Sequence, residues 1–460
     1  MSYALEILNP ATEQGIRTVT MAGLEEADAA IARAAAAFPA WRQVAPADRA
    51  LLLRRFAAAV DGEIEALAAL EVANSGHTIG NARWEAGNVR DVLTYYSAAP
   101  ERHFGRQIPV AGGVNVTFHE PLGVVGIIVP WNFPMPIAAW GFAPALAAGN
   151  TVVLKPAELT PLTAIRVGEL GREAGLPEGV FTVLPGKGSV VGTRFVTHPA
   201  VRKVVFTGST GVGKRIMAGC ADQVKRVTLE LGGKSANIVF ADADLEKAAA
   251  SAPDGAFDNA GQDCCARSRI LVERSAYADF LLLLETAVKA VRVGDPRDGS
   301  TAMGPLISAS QRQSVGSFVY DGAGSALADV AFQGTAPEGP GFWFPPTVIT
   351  PSGPGSPAFT EEIFGPVVCV VPFDDEADAV RLANDSAYGL SGSIWTRDIG
   401  RALRVSRAVD AGNLSVNSHS SVRYSTPFGG FKQSGLGREL GPDALDSFSE
   451  VKNVFLATDA

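Results

Sequence analysis

The feature that most constrains the fold is a succession of short apolar segments, rich in β-branched residues and separated by helix-sized connections. These segments lie at 124–129, 151–156, 181–186, 201–208, 227–233, 235–240, 268–273, 367–373 and 391–396. Strands that are apolar on both faces are typical of parallel sheets covered by helices on both sides. The sequence therefore predicts an α/β fold of two successive units, each with a buried, mostly parallel sheet.

The chain before these strands has a helical period. Residues 25–73 are rich in alanine, and Ala27, Ile31, Ala34 and Phe38 fall on one helical face. We expect this region to form a helical entry to the first α/β unit.

One uncharged run, residues 121–154, is long enough to resemble a membrane-spanning helix. It contains Pro130, Pro134, Pro136 and Pro144. Each proline removes an amide donor and clashes with the preceding turn, so the run cannot form the continuous helix that a bilayer requires. We expect a buried strand, a loop and a short buried helix instead, and no membrane partner.

Length and charge limit the classes of function. The chain has 460 residues, of which 47% are hydrophobic and 19% charged, as in a globular protein of two or three domains. Its net charge of −9 repels a polyanion, and no basic patch stands out, so we expect no nucleic-acid partner. The Gly-, Pro- and Ser-rich stretch 333–357 predicts surface loops rather than a linker, because strand signals continue beyond it.

Cysteine usage indicates a reducing, cytoplasmic compartment. The chain has 4 cysteines and no CxxC pair, which argues against both a disulfide scaffold and a zinc site. The N-terminus carries Glu6 and lacks the basic start and apolar core of a secretory signal. Cys220 and Cys369 are predicted to be small buried side chains.

Cys264, in NAGQDCCARSR, is the candidate nucleophile. The preceding helical stretch and Gly261 place it on a loop, where nucleophiles usually lie, and its neighbours are polar. The alternative, a small buried hydrophobe, is equally favoured by this segment alone. Cys265 is predicted to point elsewhere if the backbone is extended. A thiol hydrolase or esterase would have to use His419, the only histidine after Cys264.

Glu230 is the candidate general base. It ends the strand run VTLELGG between Leu229 and Leu231, and such an apolar setting should raise the pKa of its carboxyl toward neutrality. An outward-facing residue of an alternating strand is an equally good interpretation. The 5 histidines occur singly, without metal-ligand spacing, so no metal site is predicted.

Two segments are candidates for nucleotide binding. FTGSTGVGK, 206–214, has the order of strand, Gly-rich turn and helix that places a pyrophosphate on helix-terminal amides, although its GxxGxG spacing also suits a plain tight turn. KPAE, 155–158, follows another strand. Lys155 and Glu158 can both hydrogen-bond ribose hydroxyls, and a carboxylate there would repel a 2′-phosphate.

Seven motifs, in order over nearly the whole chain, resemble those of the aldehyde dehydrogenase superfamily. They are PWNFP (130–134), KPAE (155–158), FTGSTGVG (206–213), LELGGK (229–234), NAGQDC (259–264), EEIFGPV (361–367) and PFGGFKQSGLGRE (427–439). The resemblance implies a Cys264 nucleophile, a Glu230 base for deacylation, and an oxyanion site formed by the Asn132 side chain and the Cys264 amide.

The same resemblance implies a cofactor and an assembly. The cofactor would be NAD, with NADP as the alternative, held by Trp131, Lys155, Glu158, Gly188, Phe206, Gly208, Ser209, Glu362 and Phe364. A Rossmann-like cofactor domain would comprise 1–102 and 122–232, a catalytic domain 233–446, and a small β oligomerisation element 103–121 and 447–460. Exposed strands of that element would pair across subunits in a homodimer or homotetramer.

The substrate class depends on a few tunnel candidates, Trp140, Asp263 and Phe428. Asp263, in GQDC, would favour an aldehyde with a positive or hydrogen-bond-donating group, and GQDC resembles the motif of aminobutyraldehyde dehydrogenases. The stretch around 415–430 is similar to actinobacterial relatives acting on amino or glutamyl-amino aldehydes.

Other interpretations remain open at this stage. Asp263 would have no such role if it paired with Arg267 or Arg269 outside the tunnel. Trp140 and Phe428 would suit an aliphatic or aromatic aldehyde, and Arg423 would suit a semialdehyde.

The chain departs from the superfamily at one position. Many relatives have a lysine after the Ala-Trp pair that follows PWNFP, and a proton relay is attributed to it together with a C-terminal glutamate. Here Trp140 is followed by Gly141, whereas Glu450 matches the glutamate. Proton exit through water alone is the alternative.

Overall fold

The structure, a computed structural model, describes residues 2–320, 329–351 and 355–458. The helices are α1 (Leu24–Trp41), α2 (Pro46–Asp61), α3 (Ile64–Ser75), α4 (Ile79–Ser97), α5 (Pro134–Ala147), α6 (Leu162–Glu173), α7 (Thr193–Thr197), α8 (Thr210–Ala221), α9 (Leu245–Phe257), α10 (Tyr277–Lys289), α11 (Ala309–Gly316), α12 (Pro357–Thr360), α13 (Glu376–Asn384) and α14 (Ile399–Ala408). Short 3-10 or π segments lie at Gly188–Gly192, Asp258–Gly261, Arg274–Ala276 and Pro442–Phe448.

The strands are β1 (Tyr3–Leu8), β2 (Gly15–Met21), β3 (Gln107–Val110), β4 (Gly113–Pro121), β5 (Val124–Ile128), β6 (Thr151–Lys155), β7 (Phe181–Val183), β8 (Val201–Thr207), β9 (Arg226–Glu230), β10 (Ala236–Val239), β11 (Arg269–Glu273), β12 (Val330–Gln333), β13 (Thr347–Ile349), β14 (Val367–Phe373), β15 (Tyr388–Gly389), β16 (Ser391–Trp395), β17 (Asn413–Val416), β18 (Phe431–Lys432), β19 (Gly435–Leu436) and β20 (Ser449–Ala457). Every strand predicted from an apolar β-branched run is confirmed to within a few residues at its ends.

The helical entry is confirmed as the three helices α1, α2 and α3. Ala27, Ile31 and Ala34 are buried on one face of α1, as their spacing predicts. Proline at the first position of α2 costs no hydrogen bond, because that amide has no intrahelical partner. α3 ends at Gly76, whose φ of 80° is a conformation that glycine adopts without steric cost.

The first large sheet has six strands in the order β19-β9-β8-β5-β6-β7. β5 to β9 are parallel, and β19 pairs antiparallel with β9. The chain leaves β5 toward β6 on one side and returns to β8 on the other, so strand order reverses at β5. In open α/β sheets, ligands bind outside the carboxyl ends of the strands at such a reversal.

The second large sheet has seven strands in the order β12-β13-β14-β11-β10-β16-β17. Its strands are parallel except β12, and its central strands are buried on both faces. A large apolar core formed with α9, α10 and α13 covers it. The two-unit α/β organisation predicted from strand spacing is therefore confirmed.

A separate three-stranded sheet has the order β20-β4-β3. β20 pairs with β4 along its whole length, from Ser449 opposite Pro121 to Ala457 opposite Gly113. All of β3 and most of β20 are exposed to solvent. The sheet unites the two segments predicted to form the oligomerisation element, whereas the predicted domain boundaries and assembly stay predictions.

The uncharged run 121–154 forms the predicted buried strand, loop and buried helix, namely β5, the PWNFP loop and α5, followed by β6. α5 begins at Pro134, and all of its residues are buried. No helix in the described residues is both long and apolar enough to cross a membrane.

The prediction that 333–357 forms only surface loops was wrong in part. β13 lies within this stretch and is fully buried between β12 and β14, and Phe342 and Phe344 are buried beside it. Three residues of the stretch, 352–354, lie outside the described residues. Proline and glycine obscured a strand of only three residues.

Candidate active site

A cleft of about 320 Å³ opens at the carboxyl ends of β5, β8 and β9. Trp131 and Asn132 follow β5, Gly208 and Ser209 follow β8, and Glu230 ends β9. The register sets Thr207 directly opposite Glu230. The cleft therefore occupies the point of strand reversal, where the topology predicts a ligand.

The amino terminus of α8 borders this cleft. Ser209 is the N-cap residue, and no side chain in the described chain accepts a hydrogen bond from the first turn. A Cβ placed on Gly211 would meet nothing within 4 Å. Because the first amides of a helix carry partial positive charge and lack intrahelical partners, this end fits the pyrophosphate of a dinucleotide.

The end of β6 supplies the predicted ribose-binding residues. Lys155 is buried, and its Nζ donates a 2.7 Å hydrogen bond to the Pro156 carbonyl. Burial lowers the pKa of Lys155 to about 8. The Gly188 amide donates to Glu158 at 2.9 Å, and the Tyr3 hydroxyl lies 3.5 Å from the other carboxylate oxygen. Lys155 and Glu158 are therefore held at the carboxyl end of β6, the strand next to β5, although neither lines the cleft itself.

Two aromatic rings and a carboxyl group line the other side of the cleft. Trp131 and Phe364 meet edge to face with ring centroids 5.3 Å apart. Glu362 accepts a 2.8 Å hydrogen bond from the Gly233 amide, and burial raises the pKa of Glu362 to about 7. Phe206 does not line the cleft, because it is buried within β8.

The loop that carries Cys264 has an unusual backbone. Asn259, Ala260 and Gly261 have consecutive φ angles of 49°, 54° and 68°. Left-handed conformations cost non-glycine residues about 1–2 kcal/mol each, and such strain often occurs at functional sites. A Cβ on Gly261 would lie 2.2 Å from the Gly365 carbonyl oxygen, so this position needs glycine for space as well as for its φ.

Cys264 lines the first cleft and also a second cavity of about 340 Å³. Its thiol is partly exposed, and a hydrogen bond with Cys265, together with burial, raises its pKa. The prediction that Cys265 points elsewhere was made for an extended segment, and this condition is not met, because the segment is a turn and both cysteines line the second cavity. Cys220 and Cys369 are buried, as predicted.

Asn132 is fixed against the Cys264 loop. Its Nδ2 donates a 2.9 Å hydrogen bond to the Gln262 carbonyl. An amide NH₂ group has two hydrogens to donate, so this bond uses only one of them. Asn259 Nδ2 donates to the Asn132 carbonyl at 2.8 Å. Gln262 is tied down in turn, since the Ile307 amide donates to its Oε1. These contacts lock the loop after β5 to the strained turn before Cys264.

Glu230 is buried, with 3% of its surface exposed, and lines both cavities. The alternative of an outward-facing strand residue is therefore wrong. Burial raises its pKa well above the ordinary value, with a further contribution from the nearby Glu439 carboxylate. Neither carboxyl group has a hydrogen-bond partner within the described residues.

Glu439 was missed in the sequence, although it ends the motif PFGGFKQSGLGRE. Antiparallel pairing of β19 with β9 brings this segment to Glu230. Burial raises the pKa of Glu439 to about 8, and the buried cation of Lys203 opposes this shift. Lys203 Nζ donates a 2.7 Å hydrogen bond to Thr228.

Glu450, which matched the relay glutamate, lies on exposed β20. It forms a bidentate ion pair with Arg226. A Cβ on Gly141 would lie 3.1 Å from Ile127, so this position faces a packed strand. Glu450 is thus exposed and paired with Arg226, and the buried carboxyl group that acts on Glu230 is that of Glu439.

The second cavity contains all three tunnel candidates. Trp140 and Phe428 lie with ring centroids 5.2 Å apart, and Trp140 Nε1 donates to Asn88. Asp263 also lines the cavity and accepts a 2.9 Å hydrogen bond from the Cys265 amide. Asp258 is a second acid there, and burial raises the pKa of both aspartates.

Of the two arginines that line the cavity with Asp263, Arg267 is engaged elsewhere, whereas Arg423 is exposed. Arg267 donates to Ser393, Ser421 and the Cys265 carbonyl, and no ion pair within 4.0 Å joins it to Asp263 in the described residues. His419 shares the cavity, but its Nδ1 contacts Ser393 at 3.0 Å, and burial lowers its pKa to about 4. No described hydrogen bond joins His419 to Cys264, which disfavours a Cys/His hydrolase.

A family model and the sequences of similar proteins agree with each other on the family that this chain resembles. The sequence model described as "Aldehyde dehydrogenase family" matches residues 2–454. An aldehyde dehydrogenase of Emericella nidulans is 41% identical over 452 residues, covering 98% of this chain and 91% of the relative. An aminoaldehyde dehydrogenase 2, peroxisomal, of Pisum sativum is 40% identical over 466 residues, covering 99% and 92%.

Solved structures share the fold over the whole chain. A betaine aldehyde dehydrogenase of Staphylococcus aureus, in complex with NAD+, superposes with a TM-score of 0.96 at 38% identity. The match covers 100% of this chain and 92% of that one. The predicted fold class is confirmed.

Proposed function

The chain belongs to the aldehyde dehydrogenase family, and from that premise we propose that Cys264, Asn132 and Glu230 together oxidise an aldehyde to its carboxylic acid with NAD+ as the oxidant. The observation that carries this proposal is the position of Cys264 and Glu230 between two cavities. One cavity reaches the helix terminus suited to a pyrophosphate, and the other is lined by aromatic and acidic side chains. A nucleophile at this junction can meet an aldehyde from one side and a dinucleotide from the other.

The first step is addition of the Cys264 sulfur to the aldehyde carbon. The thiol proton must pass to solvent water, because the thiolate is the nucleophile and the raised pKa keeps the resting group protonated. Charge then develops on the aldehyde oxygen, where the second N–H of Asn132 and the Cys264 amide can donate hydrogen bonds. Loss of one such donor typically costs roughly 100- to 1,000-fold in rate.

When bound, NAD+ accepts the hydride that the substrate carbon gives up. The residues suited to hold it are Trp131, Gly208, Ser209, Glu362 and Phe364 along the cleft. Lys155 and Glu158, at and just after the carboxyl end of the neighbouring strand β6, would add to them. The remaining acyl group is a thioester on Cys264.

Hydrolysis of that thioester is the proposed task of Glu230. Its buried carboxyl, without a hydrogen-bond partner in the described chain, is free to take a proton from an attacking water. Water adds its oxygen to the acyl carbon, the carbon–sulfur bond breaks, and the Cys264 sulfur is released. Glu230 must lose the proton again before the next turnover.

The test of these roles is a pair of cysteine variants. Cys264→Ser should abolish aldehyde oxidation while the affinity for NAD+, measured by calorimetry, stays close to that of the parent, because the cleft is otherwise unchanged. Cys220→Ala, at a buried thiol in α8 that lines neither cavity, serves as the matched control and should remain active. Turnover by Cys264→Ser at the parent rate would exclude Cys264 as the nucleophile.

We further propose that the substrate is an aldehyde bearing an amino group, either an amino or a glutamyl-amino aldehyde. Two acids, Asp258, which is exposed, and Asp263, which is half-buried, line the second cavity with the rings of Trp140 and Phe428. Carboxylates and aromatic faces both attract a cation. The aminoaldehyde dehydrogenase among the relatives supports the same substrate class.

A substrate panel tests this class. The ratio kcat/KM with NAD+ should be higher for 4-aminobutanal or γ-glutamyl-aminobutanal than for succinic semialdehyde, hexanal or benzaldehyde. Asp263→Asn, which keeps the shape of the side chain, should remove this preference without abolishing hexanal oxidation. If succinic semialdehyde ranks first, the argument from the two acids is wrong and a semialdehyde substrate is favoured.

We also propose that the chain assembles as a homodimer or homotetramer through the β20-β4-β3 sheet. Exposed β3 leaves an unpaired strand edge, and such edges readily pair with another chain. Light scattering coupled to size exclusion measures the mass directly, and a monomer at micromolar concentration would contradict the proposal.

A further inference from the structure

We propose that His103, His119 and Asp446 form a binding site for a divalent transition-metal ion such as Zn²⁺, at one end of the three-stranded sheet. Each offers one ligand atom, and these three atoms lie within 4.8 Å of one another. The cluster is separate from Cys264 and lines neither cavity described above.

The spacing of the ligand atoms suits a small ion. His103 Nε2 lies 2.8 Å from Asp446 Oδ1, and His119 Nδ1 lies 3.9 Å from the same oxygen. Tetrahedral zinc with bonds of about 2.0–2.1 Å separates its ligands by about 3.3 Å, so the two observed distances bracket the required one. Small side-chain rotations would bring all three atoms into range.

The side chains are partly sheltered and held in place. Only 19% of the His103 side chain and 18% of the His119 side chain are exposed. The His119 ring also has a hydrogen bond with the Phe104 backbone. Its Nδ1, the proposed ligand atom, lies 3.3 Å from the Ser449 hydroxyl and would exchange that contact for the metal ion. A hydrogen bond from the ring nitrogen that does not bind the ion orients imidazole ligands in metal sites.

The two imidazole rings are close to each other, with centroids 3.9 Å apart. A metal ion is bound by neutral imidazoles and a carboxylate, which are the groups that this cluster offers. Two imidazoles with one carboxylate suit Zn²⁺, and water would complete four-coordination.

The site would join three separate parts of the chain. His103 precedes β3, His119 lies in β4, and Asp446 lies in the turn before β20. A bound ion would therefore clamp the three-stranded sheet at one end, and binding to the native state alone raises its stability with metal concentration.

Calorimetric titration with ZnCl₂ tests the proposal, on protein treated with chelator and dialysed. Asp263, Cys264 and Cys265 also lie within ligand distance of one another, and thiolates bind zinc. The titration is therefore done in a Cys264→Ser/Cys265→Ser background. We expect one saturable Zn²⁺ per chain and a melting temperature that rises with Zn²⁺.

Variants distinguish this cluster from unspecific binding. His103→Ala and His119→Ala should each weaken Zn²⁺ binding at least about tenfold, whereas His198→Ala, outside the cluster, should keep the affinity of the background protein. Asp446→Asn should weaken it too, and its side chain, 62% exposed, allows the variant to fold. Absence of saturable Zn²⁺ binding in the background protein would overturn the proposal. Undiminished Zn²⁺ binding by Asp446→Asn, His103→Ala and His119→Ala would overturn it too.

Discussion

Replacing Glu439 by glutamine should shift the pH dependence of turnover to lower pH. Glu230 and Glu439 are both almost fully buried, at 3% and 4% exposure. The charge on Glu439 raises the pKa of Glu230, so a neutral amide of the same size should lower it. A base works only when deprotonated, and the acidic limb of kcat must therefore move down.

The size of the shift follows from the burial of the pair. Carboxyl groups that share a low-dielectric site interact by more than about one pKa unit, and one unit corresponds to about 1.4 kcal/mol. We therefore expect the acidic limb of kcat to move by about one pH unit or more in Glu439→Gln. The assay is steady-state NADH formation across pH at saturating aldehyde and NAD+.

Glu450→Gln is the matched control, because Glu450 is an exposed glutamate paired with Arg226. Its acidic limb should coincide with that of the parent. An unmoved limb in Glu439→Gln, or an equal movement in Glu450→Gln, would refute the electrostatic role of Glu439.

The same variant should change stability in a direction fixed by linkage. Burial raises the pKa of Glu439 from 4.5 to about 8, so the folded parent binds this proton more tightly than the unfolded chain does. The stabilisation is fully present below about pH 4.5 and is lost as pH rises through about 8. Urea unfolding should therefore show Glu439→Gln gaining stability relative to the parent between about pH 5 and about pH 9, and a constant difference would contradict the assignment.

Further predictions concern the Cys264 loop and the cofactor. A Cβ on Gly233 would lie 2.2 Å from the Cys264 carbonyl oxygen. Gly233→Ala should therefore lower kcat by about 100-fold, as expected for a shift of about 1 Å at a reacting group. Gly299→Ala, where a Cβ meets nothing within 4 Å, is the control, and equal kcat values for the two variants would contradict the argument. NAD+ should be preferred over NADP+ at equal concentration, and Glu158→Gln should narrow the ratio of their kcat/KM values by about tenfold, because it removes a carboxylate that repels the 2′-phosphate. A preference of the parent for NADP+ would show that Glu158 does not face that position.

The buried strands could be predicted because their sequences are apolar on both faces. β5, β6 and β8 lie almost where their β-branched runs lie, since a parallel sheet covered on both sides demands such residues. The exposed strands carry no such signal. All of β3 and most of β20 face solvent, and only the family resemblance indicated the element that they form.

Candidate site residues could be predicted where a reactive side chain lies within a distinctive local motif. Cys264, Glu230 and Asn132 each stand in a distinctive motif, and the structure brings all three to one cleft. Glu439 could not be predicted from local patterning, because only the pairing of β19 with β9 places it beside Glu230. The end of the motif PFGGFKQSGLGRE was the signal available.

Cys265 shows the limit of reasoning from an assumed backbone. An extended segment would have pointed its thiol away from that of Cys264. The segment forms a turn at 264–265 instead, shortly after three left-handed residues, and no side-chain pattern encodes a φ of 49° at Asn259.

The central claim is that Glu230 releases an acyl group from Cys264, and the most direct test is a single-turnover experiment with Glu230→Gln. The variant should form about one NADH per chain in a burst and then stall, because water attack on the thioester lacks its base. Mass spectrometry of the stalled protein should find the acyl group on the peptide that contains Cys264. Steady-state turnover at the parent rate, or an acyl group on a different residue, would contradict the account.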